Sequence, residues 1–139
     1  MSETPLRWSG VFAPSLAELD DLAQSAFAAL PEPFRSLCAD LMIQVEDFPE
    51  EDVLDELNCA SAFDLLGLFR GQGLAQSGAS PITGQFPNRI WLYRRPILDY
   101  WSEHEETLNA IITHVLVHEI GHHFGLSDAD MEAIEQTAG

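Results

Sequence analysis

The stretch His118-Glu119-Ile120-Gly121-His122-His123-Phe124-Gly125-Leu126-Ser127-Asp128 decides how this chain is read. It contains H-E-x-x-H, with two histidines four residues apart. On an α-helix such residues share one face, one turn apart, so the spacing brings two imidazoles to a single metal ion. Glu119 is turned about 100° further round the helix. It is badly placed to join the two-histidine grip and well placed to face a water on the metal. Two ligands and a general base in this order are what metal-assisted hydrolysis needs.

A catalytic zinc takes three protein ligands and keeps one position for water. A glycine just past a helix end adopts the left-handed conformation that turns the chain back, and Gly125 is placed to do so. Asp128 follows three residues later, so the string reads H-E-x-x-H-x-x-G-x-x-D. Longer motifs of this kind carry a third histidine where Asp128 stands. The expected metal ligands are therefore His118, His122 and Asp128, with Glu119 catalytic. Two plainer readings stay open. Ser127 and Asp128 are both good helix N-caps, in which case Glu132 or Glu135 supplies the third ligand. The histidine pair itself is also compatible with ordinary packed or surface residues at helical spacing.

Upstream, Ser102 and Glu105 form a capping-box pattern, which starts the motif helix near Glu103 and runs it to Phe124. Leu108, Ile111, Ile112, Val115, Leu116, Val117 and Ile120 cover most of its circumference, the mark of a buried central helix. Gly121 costs about 1 kcal/mol of helix propensity against Ala, so a close backbone approach, of the sheet, is expected there. His114 lies one turn before His118. Three histidines at 114, 118 and 122 on one ion would span about 12 Å, so His114 is expected to pack or to support a ligand. His123 points about 140° away from His118 and is expected to be packed and hydrogen-bonded; His104 is expected to be exposed. Asp130 to Gln136 reads as a short last helix. Its Met131 stands too close to the motif to form a Met-turn.

The rest of the chain supplies the scaffold. Ser15-Leu16-Ala17-Glu18 is a capping box for a helix running to about Leu30, before Pro31. Phe34 to Asp40 suggests a short helical turn, and Met42 to Glu46 a strand. Glu46 to Glu56 holds seven acids in eleven residues. Pro49 with Glu50, Glu51 and Asp52 suits a helix start, and the run reads as a solvated face. Phe63 to Gly71 reads as a strand, Gly71 to Gly84 as a loop. Arg89 to Tyr93 reads as a strand closed by Pro96. If it is an edge, it offers pairing to an extended peptide.

With 139 residues the chain makes one domain, 1–139. Hydrophobic residues make up 46%, which excludes the disordered class. No apolar run is long enough to span a membrane. Residues 1–14 lack a basic start and an apolar core segment, so a cytoplasmic location is expected. The net charge of −17 repels phosphate backbones and anionic lipid. Neither nucleic acid nor membrane is therefore expected as a partner. Cys38 and Cys59 match no zinc knuckle and are expected to be buried free thiols.

On these residues the chain resembles the short bacterial zincin-like metallopeptidases, the minimal zincins. The resemblance rests on 118–128, on Leu65 to Gly71, on Pro87 to Leu98 and on Val45 to Pro49, and covers about Met42 to Met131. It implies an α+β, compact zincin-like fold in which a small mixed sheet packs on a buried active-site helix. It also implies zinc held by His118, His122 and Asp128, with Glu119 catalytic. The expected function is a zinc-dependent metallopeptidase that hydrolyses peptide bonds through a metal-activated water, with peptide or protein substrates. Tyr93, Tyr100 and Arg94 are candidate donors to the oxyanion. The alternatives are a non-catalytic zinc-binding interaction module with an acidic surface, and a metal hydrolase of non-peptide amides.

Overall fold

The structure, a computed structural model, describes residues 6–32, 34–38, 40–71 and 88–138. The expected loop from Gly71 to Gly84 lies outside the described residues except for Gly71 itself, as does Pro87.

Ser15 opens the first helix, Leu16–Ala28 (α1), through the expected capping box, its hydroxyl accepting from the Glu18 amide. Leu19, Ala23 and Ala26 form its buried stripe, continued by Leu30. A 3-10 turn at Arg35–Cys38 leads to strand Met42–Glu46 (β1). The acidic segment then forms a six-residue helix, Glu51–Glu56 (α2), with Glu51 and Asp52 in its first turn, where carboxylates meet the positive end of the helix dipole.

The strand expected at Phe63 to Gly71 is shorter, Gly67–Arg70 (β2). Residues Ala62–Asp64 form a 3-10 turn instead. The cause is local: Ser61 accepts from the Phe63 amide at 3.1 Å and Asp64 accepts from the Ser61 amide at 2.9 Å. These side chains offer the backbone an alternative to the ladder.

Strand Arg89–Tyr93 (β3) is present as expected, but it lies in the middle of the sheet, whose order is β1-β3-β2. It pairs parallel with β1, Ile43 opposite Ile90, and antiparallel with β2, Phe69 opposite Ile90. Both its edges are taken, so β3 cannot accept a peptide strand. Pro96 does not close the segment either. Helix Arg94–Glu103 (α3) follows β3 directly, and Pro96 sits in its first turn, where amides need no helical acceptor.

The motif helix is therefore shorter than expected, Leu108–His123 (α4), capped by Thr107, whose hydroxyl accepts from the Ala110 amide at 3.0 Å. Ser102 is no cap: its hydroxyl donates to the Asp99 carbonyl inside α3. Seven residues of α4 are buried, Ile111, Ile112, Val115, Leu116, Val117, Ile120 and Gly121. Each large one contributes about 1.5–3 kcal/mol relative to exposure. The helix packs on α1 and on one face of the sheet, where Ile43, Val45, Ile90, Leu92 and Phe69 meet the core.

Two glycines set how close its neighbours come. A Cβ on Gly67 would stand 2.6 Å from Val115 Cγ1 and 3.0 Å from the Trp91 carbonyl, so bare backbone lets β2 lie against α4. At Gly121 the close neighbour is not the sheet but Met131 of the last helix, Asp128–Ala138 (α5); its Cγ would lie 2.8 Å from such a Cβ. Met131 itself is fully buried.

No helix among the described residues is long and apolar enough to cross a membrane. Cys38 is buried and Cys59 half-buried, both free. Burial, followed by the neighbouring Asp40 charge, pushes the Cys38 thiol up to about 11.

Candidate active site

The end of α4 is built as its sequence requires. Gly125 takes φ +77°, the Leu126 amide reaches back to the Gly121 carbonyl at 2.8 Å and the Gly125 amide to His122 at 3.2 Å. This Schellman closure reverses the chain at once into α5. Ser127 caps α5, accepting from the Asp130 amide at 3.1 Å. Asp128 is consequently the first helical residue and not the cap, which leaves its carboxylate uncommitted to capping.

His114, His118 and His122 rise along one side of α4. The rings of His118 and His122 lie 5.6 Å apart between centroids, at 81°, and those of His114 and His118 3.9 Å apart, at 33°. Two concavities flank this row. The first, about 380 Å³, lies between α4, α3 and the segment entering β2. It is lined by Asp64, Leu65, Leu66, Gly67, Tyr100, Glu106 and, from α4, His114, His118, Glu119 and His122. The second, about 440 Å³, lies between α4 and α5, with His114, His118, Asp128, Glu132 and Glu135 in its walls.

The four expected site residues are thus distributed around His118. His122 and Glu119 stand with it in the first concavity, Asp128 in the second. Glu135, one of the alternative third ligands, meets His118 most closely, Oε2 to Nε2 at 3.3 Å, while its Oε1 lies 2.9 Å from His114 Nδ1. Among the described residues, His114, His118 and Glu135 are the set of three possible metal ligands whose atoms lie within 4.8 Å of one another.

Electrostatics sort the roles. Burial, then the nearby His114, lowers the pKa of His118 below its ordinary value, with Glu135 and Asp128 acting against the shift. This favours the neutral imidazole that a metal needs. Burial raises the Glu119 carboxyl, with His122 and a hydrogen bond from the Phe69 backbone acting to hold it down. The ladder explains why Phe69 is available. The Tyr93 amide donates to the Leu66 carbonyl, so strand alternation turns the backbone groups of Gly67 and Phe69 away from β3, to the edge with which no strand among the described residues pairs. Glu119 therefore sits between His122 and the edge of β2 that is unpaired among the described residues. Imidazole and carboxylate donors of this kind suit zinc.

Of the three candidate oxyanion donors, only Tyr100 lines the cleft. Tyr93 is buried, its phenol pushed up to about 12 by burial and then by Glu46. Arg94 is committed elsewhere, to the Pro14 carbonyl at 2.6 Å and to Asp47 at 3.1 Å. Asp64 and Glu106 also line the cleft. Sequence patterns had placed Asp64 inside a strand and Glu106 inside the motif helix, and nothing in their spacing marked them. His104 is exposed, stacked on Tyr100 at 3.8 Å. His123 packs on Phe69 and Phe124 as expected, but among the described residues its buried Nε2 has no hydrogen-bond partner, against the expected hydrogen bond.

A family model described as "Zincin-like metallopeptidase" matches residues 38–138. No curated protein matches the chain.

Proposed function

We propose, from the premise that this chain belongs to the zincin-like metallopeptidase family, that it is a zinc-dependent peptidase. His118, His122 and Asp128 are its metal ligands and Glu119 its general base. The observation that carries the reading is the setting of Glu119. Its carboxylate lies in the cleft beside His122, with a pKa raised by burial. A general base works best when its pKa approaches the operating pH.

When bound, zinc supplies a Lewis acid and a water of lowered pKa. The remaining work falls to the chain. Glu119 accepts the water's proton at its carboxylate and returns it to the nitrogen of the leaving amine. The Phe69 amide keeps the carboxylate aimed into the cleft. The Tyr100 phenol donates to the scissile carbonyl oxygen as negative charge builds there. The edge of β2 at Gly67, unpaired among the described residues, offers main-chain pairing to an extended substrate. This fits a peptide or protein substrate, while the −17 charge disfavours nucleic acid and anionic membrane as partners. The two unpaired cysteines suit a reducing compartment and support a cytoplasmic location.

The test is cleavage of a peptide library by the zinc-loaded protein, wild type against Glu119→Gln, with metal content measured for both. The expected result is cleavage by the wild type, a loss of roughly 10²–10⁴-fold in the variant and unchanged zinc content. A wild type that holds one zinc per chain and cleaves nothing favours the non-catalytic zinc-binding module instead.

A further inference from the structure

The histidine row on α4 extends one turn beyond the pair used above, and its upstream half has its own carboxylate. We propose that His114, His118 and Glu135 form a second cation position, exclusive of the catalytic one because both need His118. The idea rests on the proposed function only in taking His118 and His122 as the catalytic pair.

The geometry is that of a ligand set. Zinc binds nitrogen and oxygen at about 2.0–2.2 Å, which places neighbouring ligand atoms of a tetrahedron roughly 3.4 Å apart. Glu135 Oε1 lies 2.9 Å from His114 Nδ1 and its Oε2 lies 3.3 Å from His118 Nε2, and with one ligand atom taken from each residue all three fall within 4.8 Å of one another. The components come from two elements held rigidly together. His114 and His118 are one turn apart on α4, and α5 is locked against α4 where the buried Met131 covers Gly121. The position opens to solvent, with the side chain of His114 53% exposed, so an ion has a way in.

The chemistry of the two positions differs. Glu119 is five residues beyond His114 on the helix, about 7.5 Å along its axis and about 140° round it. The histidine that acts on its carboxyl is His122. A cation at the upstream position is held by two imidazoles and a carboxylate, and Glu119, though next to the shared His118 in sequence, is turned about 100° from it round the helix. His118 turned to Glu135 is withdrawn from His122. Occupancy of the upstream position stores the ion and silences the catalytic one.

Titration with Co(II), followed by visible absorption and by competition with a chelator, tests this without reference to activity. The wild type is expected to bind one Co(II) per chain. His122→Gln is expected still to bind one, with an altered spectrum, through the upstream set. Adding His114→Ala or Glu135→Gln to that variant is expected to weaken the remaining binding by more than roughly tenfold, since even outer-shell changes cost 10–100-fold. Circular dichroism of the metal-free variants checks that each is folded. The proposal is overturned if folded His122→Gln binds no Co(II), if its binding ignores both upstream changes, or if the wild type binds two. A wild type that binds none overturns the zinc reading together with this one. If His122→Gln and Asp128→Asn both leave affinity and spectrum unchanged, the upstream site stands and the catalytic ligand set falls.

Discussion

At His123 the fold holds a titratable ring between Phe69, 4.4 Å away between centroids, and Phe124. Burial lowers its pKa below 6.5. The sign follows from linkage: a base whose folded pKa is depressed is destabilised by protonation. Its contribution is intact above 6.5 and is lost as pH falls towards the depressed value. Thermal melts between about pH 7 and about pH 5 are expected to show a smaller loss of stability in His123→Phe than in the wild type. An equal or steeper loss in the variant refutes this. Tyr100 makes the second test at this scale. If its phenol serves the developing oxyanion, Tyr100→Phe lowers kcat by about 10²–10³-fold with metal affinity unchanged. A change in KM alone assigns Tyr100 to substrate binding instead. Neither environment was legible in the local sequence. Helical spacing turned His123 away from the His118–His122 pair, but its packing against Phe69, with no partner for Nε2 among the described residues, depends on β2, more than fifty residues earlier.

The elements that matter are the two ends of α4 and the strand beside it. Gly67 lets β2 lie against the helix, because a Cβ there would meet the β-branched Val115 at 2.6 Å and the Trp91 carbonyl at 3.0 Å. Neither neighbour swings aside easily. Gly67→Ala is therefore expected to destabilise by about 1–3 kcal/mol. It also moves the edge of β2 away from Glu119, so peptide cleavage falls further than stability alone explains. Urea unfolding and kcat/KM of the folded variant check the two halves, and a variant as stable as the wild type removes the argument. Helix ends that depend on neighbouring residues were readable at Ser15 with Glu18 and at Gly125 after His122, whereas the last helix, expected over Asp130 to Gln136, starts two residues earlier, at Asp128 behind Ser127. The Ser102–Glu105 pattern misled because α3 had already claimed Ser102 for its interior. The periodicity of 94–103 was hidden by Pro96, read as a stop when it sits in a first turn.

For the whole molecule the governing quantity is −17. Like charges spread over a small domain repel, and this destabilises the compact state. Among the described residues few acids are offset, as Asp47 and Glu56 are by Arg94 and Arg70. Salt screens such repulsion, with a Debye length of about 8 Å at physiological strength. Raising sodium chloride from about 0.01 M to about 1 M is expected to add about 1 kcal/mol, roughly 4 °C in Tm for a chain of this length. A Tm that stays still or falls shows that the ion pairs outweigh the repulsion.

The sequence by itself determined the C-terminal half of the motif helix, its paired imidazoles one turn apart, the carboxylate beside them and the glycine turn that ends it. Each depends only on residues within a few positions, where helix geometry leaves little choice. Tertiary structure alone decided that β3 is central and β2 the edge facing Glu119, that Gly121 receives Met131 and not the sheet, and that Glu135 reaches His118 more closely than Asp128 does. Those outcomes depend on which distant segments pair and how α5 rests on α4, and packing of that kind leaves no periodic trace in the chain.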